Sequence, residues 1–127
     1  MAEHNELGKW GEQVAAEYLE KKGYLICDRD WRLNKRDLDI VALTEDRRVL
    51  VVVEVKTRRN ENLTEPEHAV NWSKKRNIAI ATNAYVKMKD WRQELRFDIV
   101  TVVGTKGNLV AVNHIENAFN PLLTLSD

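Results

Sequence analysis

The chain has 127 residues and a formal net charge of zero, with 43% hydrophobic residues and one cysteine. This length and composition predict one domain spanning residues 1–127 with a modest core. The single Cys27 excludes an internal disulfide, and zero net charge argues against indiscriminate, tight binding to nucleic acid. Neither a signal segment nor an apolar run of membrane-spanning length is apparent, so we expect a cytoplasmic protein.

A first amphipathic helix is predicted near the start of the chain. Its apolar stripe consists of Leu7, Trp10, Val14 and Tyr18, which recur at helical spacing. Asn5 is the expected N-cap, and Gly23, after two lysines, is the expected stop. Cys27 then falls in a first strand, where we expect it to be a small core residue.

Glu12 lies at the rim of this stripe. Its neighbours Gly8 and Ala15 are small and leave its carboxylate room to face the core side. A glutamate at a rim is usually solvated. Glycine at Gly8 and Gly11 nevertheless costs the helix up to about 1 kcal/mol each against alanine, which indicates close packing on this side.

Two runs, residues 37–43 and 49–53, predict adjacent antiparallel strands, because a polar connector of hairpin length separates them. The second run is uninterrupted aliphatic sequence, typical of a strand buried on both faces. Closing the hairpin brings Asp39 opposite Val53 or Glu54, with a bulge available to correct the register.

Charged residues end the second run. Side chains alternate along a strand, so Glu54 and Lys56 point to the same face. Asp39 and Glu54 could then grip one divalent cation between them, since their mutual repulsion calls for compensation beyond that of Lys56. An ion-paired strand end without a metal explains the same residues equally well.

A second helix is predicted after a polar segment that includes Thr64 and Pro66, with Ser73 as its N-cap. Its buried stripe is formed by Ile78, Ala81 and Tyr85. The cations of residues 74–76 occupy its first turn, where they oppose the helix dipole. Lys74 shares the face of the stripe, so its stem runs toward the site, unless this is only a solvated basic turn.

The rest of the chain adds strands and tryptophans. Residues 96–103 and 109–112 predict two strands joined by a turn, and Asp98 is interpreted as a structural partner of a nearby cation. Trp10 is placed in the core. The other tryptophans, Trp31, Trp72 and Trp91, lie near basic residues where they could stack on a base, but packing is the favoured interpretation. The histidines His4, His68 and His114 lack zinc-ligand spacing.

The predicted fold class is α/β. It consists of a helix, a three-stranded meander, a helix and a closing strand pair, which together form a mixed sheet flanked by helices.

Four short motifs in order carry a family resemblance. GKWGE at 8–12, DLDIVA at 37–42, VEVKTR at 53–58 and RFDIV at 96–100 resemble the YraN-like family of predicted endonucleases. That family is similar to the PD-(D/E)XK nuclease superfamily, which includes many restriction enzymes and Holliday-junction resolvases. The resemblance implies a restriction-endonuclease-like core and metal-dependent hydrolysis of phosphodiester bonds, with DNA as the expected substrate.

The resemblance also implies roles for individual residues. It implies a site for Mg²⁺ or Mn²⁺ formed by Glu12, Asp39 and Glu54, and a catalytic set formed by Asp39, Glu54 and Lys56. It also implies nucleic-acid contacts by Arg58, Lys74 and Lys75. The chain departs from the family at Arg36-Asp37, where Gly-Glu is usual, so the role of that acid is open.

Two other functions stay open at this stage. The first is a non-catalytic nucleic-acid-binding adaptor of nuclease ancestry, which the Arg36-Asp37 departure favours. The second is a protein-interaction module, possible as a homodimer, that uses apolar residues such as Leu122-Leu123. Salt-dependent nucleic-acid binding separates the two, because only the adaptor requires it.

Overall fold

The computed structural model describes residues 2–60 and 70–125, and it has the predicted α/β architecture. In chain order its elements are α1 (Ala2–Lys21), β1 (Leu25–Leu33), β2 (Arg36–Leu43), β3 (Val49–Arg58), α2 (Trp72–Lys89), β4 (Glu94–Thr105), β5 (Asn108–Ile115) and a 3₁₀ helix (Pro121–Leu125). The predicted polar segment with Thr64 and Pro66, and His68, lie outside the described residues. Neither α1 nor α2 is long and apolar enough to cross a membrane.

The five strands form one mixed sheet in the order β1-β2-β3-β4-β5. Neighbouring strands are antiparallel except β3 and β4, which run parallel. A parallel pair needs a crossover connection, and α2 lies in that connection between β3 and β4. The meander, the second helix and the closing strand pair predicted from sequence are therefore confirmed, and the structure adds that this helix is a crossover.

Each face of the sheet carries a separate hydrophobic core. The core on the α1 side contains Val51 and Val53 of β3, and the core on the α2 side contains Leu50 and Val52. This alternation confirms that β3 is buried on both faces. Glu54 continues the series toward the α2 side, with 4% of its surface exposed.

Both helix starts differ from the sequence-based expectation. The helix α1 begins at Ala2, so Asn5 is inside the helix and is not its N-cap. The N-cap of α2 is Asn71, not Ser73, because the Asn71 side chain accepts a hydrogen bond from the backbone N–H of Lys74 at 2.9 Å. The expected stop of α1 is confirmed, since the helix ends at Lys21 and Gly23 has a φ of +94°.

The tryptophans divide unequally between core and surface. Trp10, Trp31 and Trp91 are half-buried and pack against the two cores. Trp72 is 61% exposed, so its expected packing is wrong. It is the first residue of α2, and it lies six positions before Ile78, which places it about 120° away from the buried stripe. Cys27 is half-buried beside the α2-side core.

A buried ionic cluster joins the closing strands. Asp98 is fully buried and bonds to Arg96 at 2.8 Å, to Nε2 of His114 at 2.7 Å and to the backbone N–H of Asn117 at 2.9 Å. Burial alone would raise the pKa of Asp98, but these hydrogen bonds hold it below its ordinary value. Asp98 therefore has the structural role expected of it, and His114 is engaged in the same cluster.

Close contact between α1 and β3 depends on Gly11. A Cβ atom at this position would overlap the hydroxyl, methyl and Cβ atoms of Thr57. Gly8, by contrast, has open space where its side chain would be. The packing inferred from the two glycines therefore applies to Gly11 alone, and it fixes the neighbouring Glu12 near the sheet.

We predict opposite effects for alanine at these two positions. Gly8→Ala should raise the free energy of unfolding by up to about 1 kcal/mol, because alanine favours the helix and meets no obstacle. Gly11→Ala should lower it by about 1 to 3 kcal/mol through overpacking against Thr57. Urea unfolding measures both, and Gly11→Ala/Thr57→Ala should recover part of the loss. Equal effects of the two single changes would contradict the close contact.

Candidate metal and nucleic-acid site

The candidate site begins where β2 and β3 separate. Their ladder ends with Ile40 opposite Val53, so one further step along the same register places Asp39 opposite Glu54. The Asp39 side chain turns into this gap, and its Oδ2 accepts a hydrogen bond from the backbone N–H of Val55 at 2.8 Å. The Asp39 carboxylate thus replaces the backbone carbonyl that would accept the next hydrogen bond of the β2-β3 ladder.

Asp39 and Glu54 contact each other directly. Burial and the charge of Glu54 raise the pKa of Asp39 to about 8, although the Val55 N–H and the Lys74 ammonium act in the opposite direction. The two side chains share a hydrogen bond, which requires a proton between the carboxyl groups. At neutral pH the pair therefore carries one proton that an ordinary aspartate would have lost.

Two lysines approach the same oxygen of Glu54. Oε2 lies 3.5 Å from Nζ of Lys56 and 3.6 Å from Nζ of Lys74. Burial alone would lower the pKa of Lys74, but the surrounding carboxylates of Glu54, Asp37 and Asp39 raise it. Lys74 is therefore held as a cation at the site, and of the two alternatives left open by the sequence this contact favours the approach to the site over a solvated basic turn.

Glu12 approaches from the other side of the sheet. It pairs with Arg29 of β1 at 3.4 Å, and Arg29 also donates to the Gln13 side chain at 2.8 Å. Burial raises the pKa of Glu12, while Arg29 partly offsets this effect. The Glu12 carboxylate is thus partly buried and has the guanidinium of Arg29 beside it.

Glu12 and Asp39 line the same open cavity, which has a volume of about 520 Å³. It lies between α1 and the first three strands. Its walls are formed by Leu7, Gly8, Lys9, Glu12, Asp30, Arg32, Asp37, Asp39, Val55 and Thr57. A carboxylate-lined cleft of this size is accessible to a phosphate group and to water.

The structure brings some of the predicted site residues together and leaves others at the margin. Asp39, Glu54, Lys56 and Lys74 form one contact cluster, and Glu12 joins Asp39 across the cavity. Within residues 2–60 and 70–125 no three acidic, histidine or cysteine side chains are already gathered around a metal position. Arg58 ends β3 and Lys75 lies in the first turn of α2, both half-buried.

Sequence reasoning missed the wall that β1 contributes. Arg32 lies opposite Asp37 in the β1-β2 pair, and Arg29 holds Glu12. The two-residue turn Asn34-Lys35, in which Asn34 has a φ of +57°, sets this register. A polar two-residue turn between alternating runs was the available signal. Asp37 lies 3.9 Å from Lys74, which gives the acid at the Arg36-Asp37 departure an ion-pair partner.

Comparison with known proteins identifies a family for this chain. Residues 11–102 match the family described as "Uncharacterised protein family UPF0102". A UPF0102 protein of Bacteroides thetaiotaomicron is 50% identical over 97% of this chain and 99% of its own length. One from Phocaeicola vulgatus is 50% identical over 95% of this chain and 98% of its own length.

The chain therefore belongs to the UPF0102 family, and its resemblance to the YraN-like proteins is confirmed. Among solved structures, SfsA of Pyrococcus furiosus in complex with Ca²⁺ is similar with a TM-score of 0.28 and 10% identity, covering 84% of this chain and 60% of SfsA. That score is too low to support an argument about this protein.

The raised pKa of Asp39 predicts how the metal-free fold responds to pH. Between pH about 4 and about 8 the folded state holds a proton that the unfolded state has lost, so stability should fall as pH rises and level off above about 8. The contribution of this proton is at most about 1.4 kcal/mol per pH unit. Urea unfolding in EDTA across this range measures it.

The matched variant is Asp39→Asn. Its amide can accept from Val55 and donate to Glu54, as the protonated carboxyl does, so this part of the pH dependence should disappear. Glu94→Gln, at an exposed acid on β4, should behave like the wild type. An Asp39→Asn protein that keeps the wild-type slope would contradict the shared proton.

Proposed function

We propose that this protein is a divalent-metal-dependent nuclease that hydrolyses phosphodiester bonds in DNA. The observation that carries the proposal is the contact of the half-buried Asp39 with the buried Glu54 beside Lys56 and Lys74. Two carboxyl groups held together at the mouth of a cleft destabilise a fold, and such a local conflict is expected where the residues serve a function such as metal binding. The resemblance of its motifs to predicted endonucleases supports the same function.

The residues fit Mg²⁺ or Mn²⁺. Carboxylate oxygens are the ligands that these ions prefer, and Mg²⁺ commonly uses one or two carboxylates together with water and phosphate oxygens. Asp39 and Glu54 would hold the ion, and Glu12 would contribute directly or through water from across the cavity. The pKa of Asp39 is raised first by burial and then by the charge of Glu54, and a bound cation would favour the ionised form against both effects.

A bound divalent cation would supply an acidified water molecule and stabilise charge on the phosphate oxygens. The residues of the chain would do the rest. Lys56, 3.5 Å from Glu54, would orient the attacking water or neutralise the scissile phosphate. Lys74, which bridges Glu54 and Asp37, would hold the strand at the same place, with Arg58 and Lys75 contacting neighbouring phosphates.

A non-catalytic nucleic-acid-binding adaptor is the second candidate. It is favoured by the two lysines that already pair with Glu54 and by the Arg29 partner of Glu12, since these contacts stabilise the acids without a metal. An adaptor would bind nucleic acid in a salt-dependent manner in EDTA, and it would leave every substrate intact when metal is added.

Metal-dependent cleavage tests the proposal. The purified protein with Mg²⁺ or Mn²⁺ should cut at least one DNA from a panel of linear, flapped and four-way substrates. Asp39→Ala should reduce the rate on the order of 10² or more, the scale of losing one electrostatic contribution to the transition state. Wild-type product that persists unchanged in Asp39→Ala would indicate a contaminating nuclease and contradict the proposal.

A comparison of Lys56 with Lys74 distinguishes a catalytic role from simple compensation of the charge of Glu54. Both lie at nearly the same distance from Oε2 of Glu54, so Lys56→Met and Lys74→Met remove equivalent charges from that acid. If Lys56 acts on the water or the phosphate, Lys56→Met should lower kcat on the order of 10² or more. Lys74→Met should mainly raise KM, because its proposed role is to position the strand.

The thermal stabilisation of each variant by the metal is measured together with its kinetics, because it shows whether the variant still binds the ion. At an ion concentration of 100 times Kd, stabilisation of about 2.7 kcal/mol is expected for one site in the native state. Cleavage close to wild type by a folded, metal-stabilised Lys56→Met protein would overturn the role of Lys56 and leave the metal site in place.

A further inference from the structure

An exposed aromatic ring stands at the start of α2, beside the candidate site. Trp72 is 61% exposed, whereas the other three tryptophans pack against a core. Tryptophan normally buries a large apolar area, so a ring left this exposed contributes little of that burial to the stability of the fold. The proposed metal cluster makes no use of Trp72.

One face of the Trp72 ring already has a partner within the protein. The guanidinium of Arg76, one turn along the helix, lies 5.8 Å from the centroid of the Trp72 ring. Arg76 is itself fixed, because it donates a hydrogen bond at 2.9 Å to the backbone carbonyl of Thr124 in the 3₁₀ helix. The indole is therefore supported from one side, and its exposed surface is available to a flat partner.

The charge around the ring indicates what kind of partner it fits. Lys74 and Lys75 lie in the first turn, which contains no acidic residue, and Arg76 follows them directly, although cations are disfavoured at that end of a helix. Lys74 connects this turn to Glu54 at 3.6 Å. Trp72 and Lys74 are only about 3 Å apart along the helix axis but about 200° apart around it, so their side chains leave different faces of the turn. Lys75 is three residues after Trp72 and about 60° away around the helix, so it is the lysine that lies on the same side as the ring.

We propose that Trp72 stacks on an unpaired nucleobase of a DNA strand whose neighbouring phosphate is bound by Lys75. Arg76 supports the ring from behind. This inference deepens the proposed function, on which the position of the scissile phosphate rests. It assigns the site to DNA with unpaired nucleotides near the cleavage point, because a base inside an intact duplex already stacks on its neighbours and cannot cover the indole.

Binding in EDTA tests the stacking without requiring cleavage. Fluorescence anisotropy should give a 5- to 150-fold loss of affinity for a short oligothymidylate in Trp72→Ala, about the effect of removing one aromatic stacking platform. Trp72→Phe should retain most of the affinity. The affinity for a blunt duplex should stay the same in both. The matched control is Met88→Ala, since Met88 is an apolar residue of the same helix that is 68% exposed.

Two further measurements identify the contact. Oligothymidylate should quench the tryptophan emission of the wild type, and most of this quenching should be absent from Trp72→Phe even though that protein still binds. Lys75→Ala should flatten the salt dependence by about one phosphate contact, whereas Trp72→Ala should leave the slope unchanged. The same binding measurement with an RNA oligonucleotide in place of the DNA determines whether the stacked strand must be DNA. Tighter RNA binding would overturn that part of the assignment.

The outcomes separate this inference from the proposed function. Metal-dependent cleavage with unchanged binding by Trp72→Ala would overturn the stacking and leave the nuclease standing. Trp72-dependent binding without cleavage would retain the stacking and favour the adaptor. An equal loss of single-strand and duplex affinity would overturn the selectivity for unpaired bases. Unchanged nucleic-acid binding together with a shift from dimer to monomer would instead identify the ring as a contact between two copies of the chain.

Discussion

The contact between Asp39 and Glu54 is the constraint around which the other charged residues are arranged. Two carboxylates about 4 Å apart repel by about 4 kcal/mol at an effective dielectric constant near 20. Small domains are stable by only about 5 to 15 kcal/mol, so this contact cannot stand alone. The Val55 N–H, the lysines at 3.5 and 3.6 Å, and one retained proton together compensate for it. In the absence of a metal, the proton has the role that the cation would take.

Both faces of β3 contribute to this arrangement. On one face Gly11 lets α1 approach Thr57, which sets Glu12 over the cavity that Asp39 also lines. On the other face the crossover connection places α2 so that Lys74 reaches Glu54. A strand buried on both sides allows acids and cations from two helices to meet at one strand end. The mixed sheet therefore determines which charges can interact.

Sequence patterns predicted the repetitive parts of this fold well. Alternation along residues 49–56 and the closure of the hairpin placed Asp39, Glu54 and Lys56 correctly, because a strand has a fixed period of two. The caps failed for a different reason. Asn71 and Ser73 are both good caps, and only the backbone path before α2 decides between them. The helical phase already placed Trp72 off the buried stripe, so its exposure was predictable from spacing. In the Asp98 cluster, the Arg96–Asp98 pair follows the period of two along β4, whereas the contacts with His114 and Asn117 depend on how β5 pairs with β4, which no local pattern specifies.

The zero net charge gives this chain no long-range attraction to DNA, and exposed charges are screened beyond about 8 to 10 Å at physiological salt. Binding must then depend on local contacts. Lys74, Lys75 and Arg76 supply such contacts at one helix end, but Lys74 is partly neutralised by Glu54 and Asp37, which weakens the attraction of that turn for phosphate. A contact that does not depend on charge has most value in this setting. Stacking on Trp72 is of this kind, and it would make recognition depend on an unpaired base more than on phosphate density.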